Sequence, residues 1–331
     1  MPKQNILVTG GAGYIGSHAC QALAAAGYQP IVYDNLSTGS AEAVQFGPLV
    51  QGDIRDGAAL KACFEKYQPV AVMHFAALIA VGESVTSPAD YYHVNTFGAW
   101  QLLNAMREAQ PGKAPVPLVF SSTAAVYGIP EASPIPENAK LAPINPYGQS
   151  KLMVEKMLAD YGHAYGLRSV ALRYFNAAGS SLDNSIGLQN RNPTHLIPVA
   201  LEAIIGSRPE LQIYGSDYPT PDGTAIRDYI HVVDLANAHV AALQYLLAGG
   251  EGTILNLGTG QGNSVQEVLH AVAEVTAQPV PASKHPRRAG DPPALVADSS
   301  RAQKLLNWKP RHSDLPTIVR TAWTWRQSLT D

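Results

Sequence analysis

A glycine-rich turn near the amino terminus constrains the fold of this chain more than any other feature of its sequence. The turn follows an apolar run at residues 6–8 and opens a helical pattern, with Gly10, Gly13 and Gly16 spaced three apart. Such glycines permit a tight turn, let a pyrophosphate approach the backbone, and bring helix and strand together. Free amides and the dipole at a helix start attract phosphate. The turn predicts a nucleotide-binding βαβ unit, with a purely structural turn as the alternative.

An acidic residue at the end of the second predicted strand narrows the choice of ligand. Asp34 lies 18 residues after Gly16. A carboxylate at this position can accept hydrogen bonds from a ribose diol and would repel a 2′-phosphate, so the sequence predicts NAD rather than NADP. Asp53 follows a third apolar run. It has two open interpretations, an acceptor for the adenine amino group or the N-cap of a helix.

Short apolar strands alternate with helical patterns through the first half of the chain. This alternation is typical of βαβ units, whose parallel strands are buried on both faces. We therefore predict an α/β fold with a Rossmann-type doubly wound parallel sheet in residues 1–176 and a smaller α/β substrate-binding domain in residues 177–331. The sequence leaves open whether segments after about residue 230 return to the first domain.

Composition excludes several classes of protein. The chain has 331 residues, of which 46% are hydrophobic and 15% charged, so it is not disordered. Its net charge of −3 lacks the basic surplus of nucleic-acid-binding proteins. No apolar stretch is long enough for a bilayer, the histidines lack metal-ligand spacing, and Cys20 and Cys63 are too few for a disulfide framework. We expect a cytoplasmic protein with no membrane or nucleic-acid partner and no metal site.

A tyrosine and a lysine on one predicted helix are the main chemical signal. Tyr147 and Lys151 are four residues apart and share a helix face. A phenol with a pKa of about 10 is a poor base at neutral pH, but a nearby ammonium and a positively charged nicotinamide favour the phenolate. Ser121 and Thr123 end a predicted strand, at the edge where open α/β sheets bind ligands, and Thr123 can relay a proton. The structural alternatives are a chance pair on a helix face and a strand end that only caps the next turn.

Together these features resemble the extended short-chain dehydrogenase/reductase family. Arg173, Tyr174, Phe175 and Asn176 add to the match. Further stretches resemble the branch of that family formed by the UDP-glucose 4-epimerases; they lie at residues 10–18, 74–77, 81–84, 222–224, 227–232 and 256–258.

The resemblance implies reversible epimerisation at C4 of UDP-glucose and UDP-galactose through a transient 4-keto sugar. NAD would remain tightly bound through turnover. Tyr147 would be the base, Lys151 would hold the cofactor ribose and lower the pKa of the tyrosine, and Thr123 would assist. The partners implied are a UDP-sugar and a second copy of the chain, which would dock through helices near residues 89–109 and 147–165.

The resemblance also implies which residues bind each ligand. Those expected at NAD are Gly10, Gly13, Tyr14, Ile15, Gly16, Asp34, Asn35, Asp53, Ile54, Phe75, Ala76, Ala77, Asn95, Ser121, Tyr147, Lys151 and Tyr174. Those expected at the UDP-sugar are Thr123, Asn176, His195, Leu196, Gln212, Tyr214, Arg227, Arg288, Asp291 and Leu295.

Individual roles in the UDP-sugar site follow from the same resemblance. Arg227 and Arg288 would clamp the pyrophosphate, a task suited to guanidinium forks. Gln212 and Tyr214 would lie at uracil, and Asp291 at the uridine ribose. The structural alternatives are an ion pair between Arg227 and its neighbour Asp228, and a solvated basic pair at residues 287–288.

Three positions depart from the family pattern. Ile79 replaces a lysine that contacts a cofactor phosphate, and His195 replaces a substrate-binding asparagine. Leu295 stands where a tyrosine often limits the pocket, and it is larger than the Cys or Ser of forms that accept N-acetylhexosamines. These departures leave epimerisation of UDP-N-acetylhexosamines, UDP-pentoses or UDP-uronates as alternatives.

Two further functions are weighed against epimerisation. A sugar-nucleotide 4,6-dehydratase or a UDP-glucuronate decarboxylase shares the fold, but a dehydratase needs acidic residues where this chain has Ala124 and Ala125, which have no proton to give. A redox-sensing NAD-binding protein without catalysis would need neither Tyr147 nor Lys151.

Overall fold

A computed structural model describes residues 3–189, 193–288 and 291–329. Its strands are β1 (Asn5–Thr9), β2 (Gln29–Asp34), β3 (Leu49–Gln51), β4 (Ala71–His74), β5 (Leu118–Ser121), β6 (Ser169–Tyr174), β7 (Asn176–Ala178), β8 (Leu211–Tyr214), β9 (Ile226–Arg227), β10 (Tyr229–His231), β11 (Thr253–Leu257), β12 (Asn263–Ser264), β13 (Ala282–His285) and β14 (Ala294–Leu295). Its helices are α1 (Tyr14–Ala25), α2 (Gly57–Tyr67), α3 (Val81–Thr86), α4 (Pro88–Tyr91), α5 (Gly98–Glu108), α6 (Pro146–Tyr165), α7 (Leu196–Ile204), α8 (Val232–Leu247), α9 (Val265–Thr276), α10 (Ser300–Leu306) and α11 (Leu315–Ser328).

Seven strands form one parallel sheet in the order β11-β6-β5-β4-β1-β2-β3. The chain builds outward from β1 to β3 on one side and from β4 to β6 on the other. The strand order therefore reverses between β1 and β4, the place where such sheets bind ligands at their carboxyl ends. This topology confirms the predicted doubly wound sheet. Strand β11 lies in this sheet beside β6, although it comes late in the chain.

Both faces of the sheet are buried, which explains why its strands are apolar without alternation. Ile6 and Val8 of β1 pack on one face with side chains of α1 and α8. Leu7 points to the opposite face and packs with side chains of α2 and α5.

The turn after β1 requires glycine for steric reasons. Gly10 has a φ of +73°, and a Cβ there would lie 2.5 Å from the amide nitrogen of Ala76, just beyond β4. A Cβ on Gly16 would collide with the carbonyl oxygen of Gly10. Because these glycines have no Cβ, the turn after β1 can lie directly against the segment after β4 at the switch point.

Three small sheets lie beyond β6. Strand β7 pairs with β10, β9 lies between β12 and β14, and β8 pairs with β13. Helices α7, α9 and α11 share a core that includes Ile197, Val268 and Ile318. The division at residue 176 remains a prediction.

Most helices match their sequence patterns, with two informative differences. The predicted helix at residues 89–109 is interrupted by a π-helical turn at Tyr92–Phe97, between α4 and α5. Apolar periodicity cannot distinguish such a turn from a continuous helix. The N-cap of α2 is Asp56, whose side chain accepts a hydrogen bond from the amide of Ala59, so the N-cap interpretation of Asp53 is wrong.

Candidate active site

The start of α1 presents backbone amides without a side-chain cap. Gly13 is the N-cap residue and makes no side-chain hydrogen bond to the helix. The first amides of a helix have no partner within it, so those of the first turn of α1 suit an anion. A Cβ on Gly13 would lie 3.3 Å from the carbonyl oxygen of Gly10, a tight contact at the start of the helix.

Asp34 ties this turn to the end of β2. Its carboxylate accepts hydrogen bonds from the amides of Ala12 at 3.0 Å and Leu36 at 2.8 Å. Asn35, the residue after Asp34, connects it to Asp53. The side-chain amide of Asn35 donates to the Asp53 carboxylate at 2.9 Å. The Arg55 guanidinium also bonds to Asp53 and holds the pKa of that carboxyl well below its usual range. Asp34 and Asp53, the two carboxylates predicted at the cofactor, therefore form one acidic rim at this edge of the sheet.

Segments after β4 and in the π-helical turn border the same edge of the sheet. The amides of Phe75 and Ala76 both donate to the carbonyl oxygen of Thr9, which brings the predicted residues 75–77 against the glycine turn. Asn95 is buried; its side chain bonds to both backbone groups of Leu78 and to Ser150 Oγ on α6. The side chain of Ile54 is buried against α5. These residues stay predictions as direct cofactor contacts.

The predicted catalytic side chains meet where β5 ends beside α6. Thr123 lies beside Tyr147, and its Oγ1 caps the following turn by accepting from the amide of Ala125 at 3.1 Å. Lys151 Nζ donates to the carbonyl oxygen of Ser121 at 2.9 Å. Ser121 Oγ and Tyr174 Oη are hydrogen-bonded at 2.5 Å. Thr123 thus caps a turn, and its role as a proton relay stays a prediction.

Burial sets the protonation of this group. It raises the pKa of the Tyr147 phenol, and the hydrogen bond from Thr123 opposes that rise. Burial also lowers the pKa of Lys151 to about 7. The protein by itself therefore does not make Tyr147 acidic. A lower pKa requires further positive charge beside the phenol.

A cavity of about 770 Å³ brings together part of the predicted substrate site. Of the predicted residues, Tyr14, Asn176, His195 and Leu196 line it. Asn176 begins β7, and its side-chain amide donates to the carbonyl oxygen of Asp228 at 3.2 Å. The cavity lies between the start of α1 and the segment that follows β6.

A second group of predicted substrate residues lies on the small sheets. Arg227 of β9 is paired in an ion pair with Asp291. Tyr214 hydrogen-bonds to Gln212 on β8, and the Arg288 guanidinium lies 4.0 Å from the centre of the Tyr214 ring. Ala289 and Gly290, between Arg288 and Asp291, lie outside the described residues.

The structural alternative for Arg227 is wrong. Asp228 does not pair with Arg227; it is fully buried and accepts hydrogen bonds from the backbone of Thr259, Gly260 and Ala297. Arg287 and Arg288 are both exposed; Arg287 bonds to Asp217, and Arg288 stacks on Tyr214.

Leu295 pairs with Arg227 in the strand register and packs in a cluster with Ala124 and Phe175. This cluster adjoins Thr123, so Leu295 connects the small sheets to the catalytic group. Ile79 is 58% exposed, and its apolar side chain has no donor that could replace the contact of the family lysine with a cofactor phosphate.

Sequence reasoning missed several residues of the cavity. Tyr229 and Trp325 line it, as do residues 38–42 after β2. The hydroxyl of Tyr14 donates to the carbonyl oxygen of Gly179 at 2.6 Å and so joins the glycine turn to the segment after β7. The sequence signal for Tyr229 was its place two residues after Arg227, whereas Trp325 carried no local signal.

No group of His, Cys, Asp or Glu side chains suited to a metal ion occurs within residues 3–189, 193–288 and 291–329. Among the helices described, none combines the length and apolar character needed to cross a membrane.

The glycine turn, the acidic rim and the Tyr147–Lys151 pair define an NAD-dependent enzyme of sugar-nucleotide type. The family profile described as the NAD dependent epimerase/dehydratase family matches residues 6–258, and the chain belongs to this family. It is 50% identical over 325 residues to the UDP-glucose 4-epimerase of Rhizobium leguminosarum bv. trifolii, covering 98% of each chain.

Solved structures agree with this assignment. The UDP-glucose 4-epimerase of Brucella ovis in complex with NAD superposes with a TM-score of 0.94 at 52% identity, covering 97% of this chain and 98% of that one. The UDP-glucose 4-epimerase of Stenotrophomonas maltophila, with bound NAD and formylated UDP-arabinopyranose, gives a TM-score of 0.94 at 43% identity and covers 99% of each chain. The family resemblance inferred from the motifs and the prediction of NAD are confirmed.

Proposed function

We propose that this chain interconverts UDP-glucose and UDP-galactose by inverting the configuration at C4 of the sugar. The observation that carries the proposal is the placement of Tyr147 beside Thr123, one helical turn from Lys151, at the carboxyl edge of the sheet. Relatives of full length with about half of their residues identical are UDP-glucose 4-epimerases.

Each catalytic side chain has one task in this reaction. Tyr147 Oη takes the proton of the sugar 4′-hydroxyl, and Thr123 Oγ1 holds the reacting oxygen and relays that proton. When bound, NAD supplies a reversible acceptor for the C4 hydride and a positive charge that favours the phenolate. Lys151 holds the cofactor ribose and adds to that charge. The site would have to let the 4-keto sugar turn so that either face of C4 can meet the cofactor, and Tyr147 would give the proton back.

The residues present fit two parts of NAD, the pyrophosphate and a ribose. The uncapped start of α1 suits the pyrophosphate, and the Asp34 carboxylate suits a ribose diol. Two residues predicted to bind the UDP part, Arg227 at the pyrophosphate and Asp291 at the uridine ribose, form an ion pair with each other. Binding would exchange this ion pair for contacts of Arg227 with the pyrophosphate and of Asp291 with the uridine ribose.

The sugar specificity remains a proposal that depends on Leu295. This side chain packs against the apolar cluster that contains Ala124, the residue after Thr123, and its size would limit the group at C2 or C5 of the sugar. We expect UDP-glucose and UDP-galactose to be favoured, with weak activity on the N-acetylated pair. The formylated UDP-arabinopyranose in the Stenotrophomonas relative keeps UDP-pentoses as a second substrate class to be tested.

The decisive experiment uses the purified protein without added cofactor. We expect it to interconvert UDP-galactose and UDP-glucose and to release NAD on denaturation. Rates on UDP-N-acetylglucosamine and on a UDP-pentose are measured in parallel. Equal or greater efficiency on either would refute the narrow assignment, and no epimerisation of any UDP-sugar would refute the function.

The chain is also proposed to form a homodimer. Phe97, Trp100, Met153 and Tyr165 are large apolar side chains on α5, α6 and the preceding turn, and each is at least 36% exposed. Such a cluster is typical of a buried interface. Sedimentation should give twice the chain mass, and Trp100→Glu should give monomers, whereas Leu305→Glu on α10 should not. A monomeric native protein would contradict the proposal.

A further inference from the structure

A buried polar network lies directly beneath the catalytic group. Its centre is an ion pair between Arg173 and Glu155, whose side chains are only 1% and 3% exposed. The guanidinium donates to the carboxylate through Nε at 2.9 Å and Nη2 at 2.5 Å. Ser122 Oγ donates to the same carboxylate at 2.5 Å. The catalytic steps proposed above use none of these three side chains.

Each member of this network is next to a catalytic or cofactor residue on a different element. Ser122 stands between Ser121 and Thr123 at the end of β5. Glu155 is one helical turn after Lys151 on α6, and Arg173 precedes Tyr174 in β6. The ion pair and the Ser122 hydrogen bond therefore together join α6, β6 and the end of β5.

The network also extends away from the site. Arg173 Nη1 donates to Tyr127 Oη at 2.9 Å and to the carbonyl oxygen of Glu137 at 3.2 Å. Tyr127 in turn donates to Asn256 of β11 at 2.6 Å. Because all three hydrogen bonds to the Glu155 carboxylate are buried and support one another, the carboxylate has little freedom to move.

The position of α6 relative to β5 decides whether Tyr147 reaches Thr123. Two hydrogen bonds connect the ends of these elements, from Lys151 to the carbonyl of Ser121 and from Ser122 to Glu155. The Lys151 bond comes from a side chain that must also hold the cofactor. The Ser122 bond has no second task, and it anchors the strand residue directly before Thr123.

We propose that Ser122 and Glu155 are positioning residues for catalysis, which hold Thr123 and Tyr147 in the geometry for proton transfer. The inference rests on the proposed epimerase function. Misplacing a catalytic group by about 1 Å can cost about 100-fold in rate even when binding is intact. The network therefore acts on kcat rather than on affinity for the UDP-sugar.

Ser122→Ala tests this with little disturbance, because the Arg173–Glu155 pair remains. Kinetics on NAD-loaded protein with UDP-galactose should show kcat per bound NAD lowered at least about tenfold, with KM and NAD content unchanged. Glu155→Asp keeps the charge but withdraws the carboxylate, and kcat should fall further. Ser122→Thr keeps the hydroxyl and should recover most of kcat.

Ser299→Ala is the matched control. Ser299 is 2% exposed and its hydroxyl bonds to Gln303 at the start of α10, away from the reacting group. This variant should keep the native kcat and KM. An unchanged kcat in Ser122→Ala, or a loss of kcat that tracks NAD content in both variants, would overturn the inference. If the native protein epimerises no UDP-sugar, the proposed function fails instead.

Discussion

Removing the Arg173 side chain should destabilise the protein far more than removing the whole ion pair. Arg173→Met takes both guanidinium bonds from the Glu155 carboxylate, which is 3% exposed and keeps only Ser122 as a partner. An uncompensated buried charge of this kind costs about 3–5 kcal/mol. The carbonyl oxygen of Glu137 also loses its donor, which adds about 1 kcal/mol or more.

The double variant Arg173→Met/Glu155→Leu removes the charge that caused the penalty. Apolar side chains in place of a buried pair are often neutral within a few kcal/mol. We therefore expect the single variant to lose about 4–6 kcal/mol of unfolding free energy and the double variant to recover at least half of that loss. Because the double variant still lacks the bond to Ser122, its kcat should stay low.

Urea unfolding followed by circular dichroism measures both variants against the native protein, each loaded with NAD. A single variant that yields no folded protein while the double variant folds also agrees with the reasoning. Equal destabilisation of the two variants would refute it, since the penalty would then not come from an unpaired carboxylate. Full recovery of kcat in the double variant would count against the positioning role.

Three further outcomes are expected from the site. Tyr147→Phe should keep bound NAD but lower turnover by about a thousandfold or more, because it removes the only proposed base; measurable turnover near the native level would contradict this. Burial lowers the pKa of Lys151 to about 7, against about 10.4 in the unfolded chain, so the unfolded state holds more protons between these values. The unfolding free energy of NAD-free protein should therefore rise with pH across that interval, and Lys151→Met should abolish this part of the slope in urea titrations at several pH values. Gly13→Ala should weaken NAD binding at least about tenfold in a calorimetric titration, since the methyl would occupy the space before α1, whereas Gly82→Ala, where a Cβ meets nothing within 4 Å, should bind NAD normally.

The apparent conflict over Tyr147 bears on the order of events in catalysis. The sequence predicts a phenol made acidic by cations, yet burial raises the pKa of Tyr147. The two statements are compatible because the positive charge of bound NAD would favour the phenolate.

The ion pair of Arg227 with Asp291 has a related consequence. Each side chain neutralises the charge of the other. Under the proposed function, a UDP-sugar would exchange this pair for its own contacts with the two groups. Its affinity would then depend on the net gain over the existing salt bridge.

Local patterns in the sequence determined the features that depend on a few neighbouring residues. The glycine turn, Asp34 at the end of β2 and the spacing of Tyr147 and Lys151 all follow from backbone geometry within one strand, turn or helix. The apolar strands and the helical periodicity also predict the parallel sheet, because burial on both faces leaves no polar alternation. The sequence did not predict the π-helical turn at residues 92–97, because its apolar pattern matches that of an ordinary helix.

Tertiary structure alone decided which distant side chains meet. Glu155 reaches both Ser122 and Arg173, Tyr14 reaches Gly179, and Arg227 chooses Asp291 over its neighbour Asp228. These partners are far apart in the chain, and each pairing depends on how α6, α1 and the small sheets pack against β5 and β7. Periodicity carries no information on such contacts, because they are fixed by the summed packing of the whole chain rather than by any local preference.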